Sequence, residues 1–523
     1  MSGPRSVTYA AAAFDEAMHK AYEDALGKIP SLLGEPHPLF IGGQEIRSRT
    51  QFETRSPIDT SIRIGIFQNA TMDQIHDAIA QAGQEYRTWS RVRWQDRVAT
   101  LRNVAGVLDR QRFLLSALVT YEIGKTREEA VAEVAESVDM IQYYCDLYEK
   151  NEGYVTRMEP GEPGQVAGSV LRPYGVWAVI SPFNFPISLA AGMVGAVLLT
   201  GNTAVFKPTS ESPLSGLKLY EAYREGGVPA GALQFVTGPG RVFGEAIVPH
   251  PGIAGIAFTG SRDAGTWLHR NFAMRQPYAK PIVLELGSKN PVIVTDHADN
   301  KKAAAGIARS AFGYGGQKCS ATSRVYVQEG IMPAFAAALV HEVTALKTSD
   351  PREQATGLGP LINAAAVARF RAVVSEAKAA GATILCGAEV LTTGIFDRGY
   401  YVSPTVITGL SPGHRLEREE LFVPLLIVET YTGFEDALRR ANATDFGLTA
   451  GIFSEDKDEV ARFFDRIESG VCYANRRGGA TTGAWPGSQP FCGWKASGIS
   501  GKGSGGPYYL LSFVREQSQT RAG

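Results

Sequence analysis

The chain has 523 residues, enough for two or three domains with sizeable hydrophobic cores. Its composition is that of a globular protein, with 44% hydrophobic residues, 20% charged residues and a formal net charge of -1. This balance argues against nucleic acid or an anionic membrane as the main partner.

The cysteines and the N-terminal segment indicate the compartment. Five cysteines are present, an odd number without a CxxC pair, which argues against a disulfide framework and against a structural zinc site. The first residues contain neither a basic region nor a long apolar core, and Asp15, Glu16 and Glu23 argue against a transit peptide. The longest apolar stretch, residues 187–200, is interrupted by glycines and is too short for a membrane span. We therefore predict a soluble, cytoplasmic protein without a metal site.

The first elements predicted along the chain are helices, followed by an extended arm. Residues 72–118 and 126–150 have helical patterns. Residues 151–170 carry spaced glycines and prolines, which predicts a strand-rich arm outside the compact core.

From residue 174 onward, short β-branched runs alternate with helical segments. One series contains VWAVISPF, NTAVFKP, LQFVTG and IAGIAFTGS; a second contains PVIVTD, SRVYVQ, TILCG and PLLIVETY, with a helix over 434–441. Such units form parallel sheets with a ligand crevice at the carboxyl ends of the strands. The pattern predicts two α/β domains, and the segment YYLLSFV (508–514) predicts a last strand.

Cys319 is the first candidate for chemistry, within residues 315–320 (GGQKCS). The glycines permit a tight backbone, and Lys318 precedes the thiol. A cysteine reacts as its thiolate, and a neighbouring cation raises the thiolate fraction. A lone cysteine is more often a small buried hydrophobic residue, so this motif needs support from others.

Three further motifs carry polar groups that fit the same chemistry. Asn184, in SPFNFP (181–186) after a strand, could donate its amide to an oxyanion, or form a turn. Glu285, in LELG (284–287), is either structurally paired or a general base with a raised pKa. Lys207 ends the strand in GNTAVFKP (201–208), where cofactor riboses lie, although a surface lysine is the common alternative.

In this order, the motifs resemble those of the aldehyde dehydrogenase superfamily over nearly the whole chain. The resemblance includes FTGS (258–261), EELF (419–422), DFGLT (445–449) and residues 491–498. It implies an α/β fold with two doubly wound α/β domains and a β-strand oligomerisation arm. The implied divisions are 1–150 with 173–286 for the NAD(P)-binding domain, 287–478 for the catalytic domain, and 151–172 with 487–523 for the arm.

The resemblance implies a thiohemiacetal and thioester mechanism. Cys319 would attack the aldehyde carbon, and Asn184 with the Cys319 backbone N–H would hold the oxyanion. Glu285 would activate the water that hydrolyses the thioester. Ser288, Val423 and Cys492 stand where the family usually has glycines, so their effect on the loops is an open question.

The cofactor implied is NAD. Ser210 stands where strongly NAD-preferring members often carry a glutamate, which leaves NADP use open. The cofactor-binding residues implied by the resemblance are Lys207, Ser210, Ser181, Phe183, Gly260, Ser261, Gly240, Glu420 and Phe422.

Within the superfamily, the chain is most similar to the 1-pyrroline-5-carboxylate dehydrogenase group, which oxidises glutamate γ-semialdehyde to glutamate in proline catabolism. The resemblance assigns the substrate carboxylate to Ser320 and to the backbone of Gly483 and Ala484. It also implies that Glu136 pairs with the ammonium group of the substrate, and that Phe185 and Phe491 pack on either side of its methylene chain. Helical periodicity alone places Glu136 opposite an apolar face, as a solvated charge.

Three alternatives stay open. The substrate could be another ω-carboxylated aldehyde, such as succinate semialdehyde. Coenzyme A could resolve the thioester, although Glu285 argues for water, or the chain could be a non-catalytic member of the fold. By resemblance, the partners are a small-molecule aldehyde and further copies of the chain, in a homodimer or dimer-based oligomer.

Overall fold

The computed structural model describes residues 14–476 and 485–522. Its helices are α1 Glu16–Leu26, α2 Met72–Trp89, α3 Trp94–Arg110, α4 Arg112–Ile123, α5 Arg127–Lys150, α6 Ser188–Leu199, α7 Pro213–Glu225, α8 Gly240–Ile247, α9 Arg262–Arg275, α10 Asn300–Phe312, α11 Met332–Thr344, α12 Ala364–Ala379, α13 Arg415–Arg418, α14 Phe434–Asn442 and α15 Lys457–Arg466. Its strands are β1 Pro36–His37, β2 Leu39–Ile41, β3 Gln44–Ile46, β4 Gln51–Arg55, β5 Arg63–Gln68, β6 Val155–Met158, β7 Gln165–Pro173, β8 Val176–Ile180, β9 Thr203–Lys207, β10 Leu233–Phe235, β11 Ile253–Thr259, β12 Ile282–Glu285, β13 Asn290–Val294, β14 Thr322–Gln328, β15 Thr383–Cys386, β16 Thr405–Thr408, β17 Leu425–Tyr431, β18 Phe446–Gly447, β19 Thr449–Phe453, β20 Val471–Ala474, β21 Trp494–Lys495 and β22 Val514–Ala522.

The first large sheet has the strand order β12-β11-β8-β9-β10-β2-β3. The strands from β12 to β10 are parallel, and β2 with β3 forms an antiparallel edge. Along β8, Val176 and Ala178 pack into one core with helices α2 and α8, whereas Trp177 and Val179 pack into another with α3 to α7. Both faces are therefore covered by helices, which explains the almost continuous apolar sequence of these strands.

The order of this sheet places a crevice between β8 and β11. The chain crosses from β8 to β9 in one direction and from β11 to β12 in the other. Ligands of open α/β sheets bind outside the carboxyl ends of two adjacent strands whose connections diverge in this way. Ser181 follows β8 and Gly260 follows β11, so both lie at this point.

The second large sheet has the strand order β15-β16-β17-β14-β13-β19-β20 and is parallel except at its β15 edge. Helices α10 and α11 pack on one face, and α14 and α15 pack on the other. The prediction of two doubly wound α/β sheets is confirmed. Cys319 lies just before β14, at the amino edge of this second sheet.

Strands β22, β7 and β6 form a separate antiparallel sheet that corresponds to the predicted arm. The expected strand over 508–514 is wrong, because Tyr509–Phe513 is a 3-10 helix and the strand begins at Val514. The reason is packing, because a helical turn lets Tyr509 and Phe513, four residues apart, both contact aromatic residues of the core. Tyr509 stacks on Tyr144 at 5.6 Å between ring centroids, and Phe513 contacts Trp177 at 4.7 Å. None of the described helices is long and apolar enough to cross a membrane.

Candidate active site

A left-handed turn leads into the loop that carries Cys319. Tyr314, Gly315 and Gly316 have φ values of 48°, 63° and 68°, a region that favours glycine. The Tyr314 hydroxyl donates to the carbonyl of Ile123 at 2.6 Å and holds the one non-glycine residue in place. A Cβ on Gly316 would lie 2.7 Å from the Val423 carbonyl oxygen, so a side chain is excluded there.

Asn290 fixes the backbone on the other side of the thiol, and sequence reasoning missed it. Its amide nitrogen lies 2.8 Å from the carbonyl oxygens of both Cys319 and Ala321. Its side-chain oxygen accepts the Thr449 N–H at 3.0 Å, which ties the loop to β19. The Cys319 N–H is thereby held in a defined direction, as an oxyanion donor requires.

The surroundings of Cys319 keep its thiol protonated in the absence of ligands. Burial, together with the charges of the Glu420 and Glu285 carboxyls, raises the pKa of this thiol to about 12. The expectation that Lys318 would act on the thiol as a neighbouring cation is wrong. Its ammonium pairs with Glu129 at 2.6 Å and is almost fully buried there.

Asn184 lies beside the nucleophile loop, as predicted. It is buried, and its amide nitrogen donates to the Gln317 carbonyl at 3.0 Å. An amide nitrogen carries two hydrogens, so one remains for a further acceptor. This hydrogen bond brings the carboxyl edge of the first sheet to the amino edge of the second.

Glu285 ends β12 and faces the same space. Burial raises the pKa of its carboxyl well above the usual range, and the backbone N–H of Gly493 opposes that shift. Gly498 pairs with Glu285 across an isolated bridge, and the Leu286 N–H donates to the Ser497 carbonyl at 2.8 Å. A buried carboxyl with a raised pKa fits a general base.

Helix α5 presents three carboxylates, at positions i, i+4 and i+7, on one face towards the site. Glu129 pairs with Lys318, as described above. Glu133 accepts the Ile187 N–H at 2.8 Å and the Lys125 ammonium at 2.6 Å. That pair anchors the loop of Asn184, and sequence reasoning missed it because charged residues are rarely fully buried.

Glu136 is the third carboxylate, and its interpretation as a solvated charge is wrong. Only 2% of the residue is exposed, because α5 is covered on several sides by other helices and by the C-terminal segment. The charge of Glu136 raises the pKa of both Cys319 and Tyr144, which places it in their neighbourhood.

Three further predicted substrate residues are buried in the same region. Phe185 is 4% exposed, and the Lys125 ammonium lies 3.5 Å from its ring centroid. Phe491 is held by paired backbone hydrogen bonds with Ser504. The Ser320 hydroxyl is buried and has no hydrogen-bond partner among residues 14–476 and 485–522. Such an orphaned donor fits a ligand. Gly483 and Ala484 lie outside the described residues.

The cofactor residues at β8 and β9 line the crevice. The Lys207 ammonium donates to the Pro208 carbonyl at 2.8 Å, and burial lowers its pKa to about 8. The Ser181 hydroxyl is buried without a hydrogen-bond partner within the described ranges. The Ser210 hydroxyl donates to the Gly238 carbonyl at 3.2 Å. Lysine and serine side chains at the ends of parallel strands are of a type that can bind ribose hydroxyls.

Two helix N-termini meet the crevice. Gly240 begins α8, and no atom lies within 4 Å of the position of a Cβ there. Ser261 caps α9 by accepting the Ala264 N–H at 3.4 Å, and Gly260 precedes it. Backbone N–H groups and the helix dipole make such ends suitable for a pyrophosphate.

Glu420 and Phe422 lie on the catalytic side of the crevice. Glu420 accepts the Ser288 N–H at 2.8 Å, and burial raises the pKa of its carboxyl to about 7. A Cβ on Gly287 would lie 2.4 Å from the Glu420 carboxylate, so a side chain there would displace that carboxylate. The Phe422 ring meets that of Phe183 edge-on at 6.0 Å.

The structure explains one of the three unusual residues, Ser288, and gives only a backbone contact for Cys492. The Ser288 hydroxyl accepts from Asn290 at 3.0 Å, so the serine adds a contact. The Cys492 carbonyl would lie 1.8 Å from a Cβ on Gly470, so Gly470 provides the room that this segment needs. Val423 is buried, and nothing in the structure explains its replacement of glycine.

Comparison with known proteins identifies the family of the chain. Residues 44–518 match the model of the aldehyde dehydrogenase family. The 1-pyrroline-5-carboxylate dehydrogenase of Geobacillus sp. (strain WCH70) is 34% identical over 507 residues, which are 96% of each chain. That of Bacillus pumilus (strain SAFR-032) is 35% identical over 508 residues, again 96% of each chain.

Solved structures show the same similarity. A 1-pyrroline-5-carboxylate dehydrogenase from Thermus with bound NAD superposes with a TM-score of 0.92 at 31% identity, over 97% of both chains. A proline utilization A protein from Bdellovibrio bacteriovorus also gives 0.92, at 32% identity, over 97% of this chain and 52% of the other. The predicted family is confirmed, and the chain belongs to the aldehyde dehydrogenase family.

Proposed function

We propose that the protein oxidises glutamate γ-semialdehyde to glutamate with NAD, through a covalent intermediate on Cys319. The observation that carries this proposal is the buried Glu136 carboxylate, whose charge acts on the Cys319 thiol. A carboxylate beside the nucleophile suits a substrate with an ammonium group. The names of the relatives from Geobacillus and Bacillus support the same substrate.

The cofactor residues fit a nicotinamide dinucleotide. Lys207 and Ser210 would hold the adenosine ribose, the α9 N-terminus with Ser261 the pyrophosphate, and Glu420 the nicotinamide ribose. When bound, the nicotinamide ring supplies the hydride acceptor. The Thermus structure contains NAD, which supports NAD as the cofactor, and Ser210 leaves room for NADP.

Cys319 begins the reaction by forming a bond between its sulfur and the aldehyde carbon. The thiol proton is released to solvent, so the bond forms from the thiolate. Asn184 and the Cys319 N–H stabilise the oxyanion of the thiohemiacetal. Loss of hydride from its carbon leaves a thioester on Cys319.

Glu285 then takes a proton from water, and the oxygen of this water attacks the thioester carbon. The carbon–sulfur bond breaks, and the acid leaves with the thiol restored. Ser320 and Glu136 hold the two charged groups of the substrate during both steps, while Phe185 and Phe491 exclude water from its methylene chain.

Replacement of Glu136 by Gln tests the substrate. We expect kcat/KM for glutamate γ-semialdehyde to fall about 10- to 100-fold, because a charge-assisted hydrogen bond contributes about 1.5–3 kcal/mol. Turnover of succinate semialdehyde, which has no ammonium group, should change little. Cofactor reduction is followed with both aldehydes and with NAD or NADP. Equal losses for both aldehydes, or preference of the wild type for succinate semialdehyde, would contradict the assignment.

We further propose a homodimer or dimer-based oligomer built through residues 151–172 and 487–523. The arm sheet exposes apolar side chains and has open edges at β6 and β22, and Val155, Met158 and Val166 are each about half exposed. Light scattering coupled to gel filtration should give at least twice 56.2 kDa. A monomer mass would overturn this proposal.

We also propose residues 1–150 with 173–286 as the cofactor domain and 287–478 as the catalytic domain, since each large sheet lies within one of these divisions. The five cysteines are all free, which supports the reducing cytoplasm as the compartment.

A further inference from the structure

A hydrogen bond between Glu211 and Asn363 joins the two halves of the protein. The Asn363 amide nitrogen donates to the Glu211 carboxylate at 2.9 Å. Glu211 follows Ser210 in the loop after β9, whereas Asn363 precedes α12 of the other half. No lysine or arginine of the described ranges forms an ion pair with Glu211, so Asn363 is its charge-stabilising contact.

The loop that carries Glu211 is held firmly at its other end. The buried Glu122 carboxylate accepts the N–H groups of Leu214 and Ser215 at 2.7 and 2.8 Å, which caps the start of α7. Lys207 and Ser210 lie between the end of β9 and this cap. Their positions therefore depend on the few residues that contain Glu211.

The segment that carries Asn363 is bonded to the nucleophile loop. The Ile362 N–H donates to the Gln317 side chain at 2.9 Å, and Gln317 is two residues before Cys319. The Gln317 carbonyl in turn accepts from Asn184 at 3.0 Å. A continuous set of hydrogen bonds thus runs from the ribose end of the crevice to the oxyanion donor and the thiol loop.

We propose that the Glu211–Asn363 hydrogen bond is a positioning contact that couples cofactor binding to the geometry of the nucleophile loop. This inference rests on the proposed use of a nicotinamide dinucleotide. A cofactor that fixes Lys207 and Ser210 stabilises the Glu211 loop, and Glu211 stabilises the segment around Asn363. By thermodynamic linkage, disruption of the bond weakens cofactor binding.

The variant Asn363→Asp breaks this contact without removing the helix cap. The Asn363 oxygen that accepts the Ala366 N–H at 3.0 Å is retained in aspartate, which is an equally good N-cap. The donor is replaced by a second carboxylate, which repels Glu211. We expect the Kd and the KM for NAD to rise about fivefold or more, with little change in the KM for the aldehyde.

The double variant Glu211→Gln/Asn363→Asp reverses the polarity of the bond, because glutamine can donate to aspartate. It should bind NAD like the wild type. Glu211→Gln alone retains an acceptor oxygen and should also resemble the wild type. Glu221→Gln is the matched control, since Glu221 is an exposed residue of α7 that pairs with Lys218 of the same helix.

NAD binding is measured by calorimetry and folding by thermal melting on all variants. Weakened binding in Asn363→Asp with recovery in the double variant supports the proposal. Unchanged NAD binding in Asn363→Asp, or failure of recovery in a double variant that melts like the wild type, overturns it. If the wild type binds neither NAD nor NADP, the proposed function is wrong as well. If the wild type binds NAD but Asn363→Asp binds it equally well, only the positioning contact is wrong.

Discussion

Alanine in place of Cys319 should reduce aldehyde oxidation at least about ten-thousand-fold, the order of loss seen when a catalytic nucleophile is removed. Asn184, Glu285 and Glu420 stay in place, but no sulfur is available to form the thiohemiacetal. NAD binding should persist, because the sulfur is not among the proposed cofactor contacts. Cofactor reduction in the steady state and NAD binding by calorimetry are measured together.

Cys386→Ala is the matched control, because Cys386 is a half-buried cysteine on β15, far along the sheet from the nucleophile. It should retain full activity. Alkylation of Cys319 in the free protein should accelerate as the pH rises, without a plateau near neutrality, because the pKa of this thiol is raised to about 12. Activity that survives in Cys319→Ala would remove the proposed mechanism.

Glutamine in place of Glu285 should stop the reaction after the first half. A general base contributes about 100- to 10,000-fold, so steady-state turnover should fall by that factor. Hydride release precedes hydrolysis of the thioester, and only hydrolysis needs a base to activate water. One equivalent of reduced cofactor should therefore appear as a burst. The thioester that remains on Cys319 adds the mass of the acyl group and is detected by mass spectrometry.

The pH dependence of deacylation gives a second test of Glu285 as the general base. Burial raises the pKa of its carboxyl, so the basic form is gained as the pH rises through a range above that of an ordinary carboxyl. Wild-type deacylation should therefore accelerate with rising pH over this range, and the Glu285→Gln variant should lose that dependence. A variant without a burst would show instead that Glu285 is needed before the thioester forms.

The candidate site residues could be proposed from the sequence because several short motifs, each at a strand end or turn, occur in the order typical of one family. Cys319, Asn184 and Glu285 come from different segments, and the doubly wound sheets bring these segments together. Periodicity failed for Glu136, because a helical wheel assumes one buried face and α5 is buried on several sides. Lys318 was misread, because the direction of a long side chain depends on a partner, here Glu129, that lies 189 residues away.

Residues that position the backbone of other site residues could not be recognised from the sequence. Asn290 begins an ordinary strand, and Glu133 belongs to a helix rich in charged residues. Their contacts, with the Cys319 carbonyl and with the Ile187 N–H, are long-range pairings of side chain and backbone. Local sequence patterns do not encode such pairings. The 3-10 helix Tyr509–Phe513 was missed for the same reason, because its aromatic residues are selected by distant partners.

The pairing of Glu285 with Gly498 bears on how the protein matures. The backbone around Glu285 is completed by residues more than 200 positions later, and the Asn202 amide donates to the Phe513 carbonyl at 2.8 Å, near the C-terminus. Contacts of such sequence separation form late in folding. A chain still emerging from the ribosome lacks the segment that encloses Glu285. The general base at Glu285 is therefore enclosed by its full set of backbone neighbours only when synthesis of the chain is nearly finished.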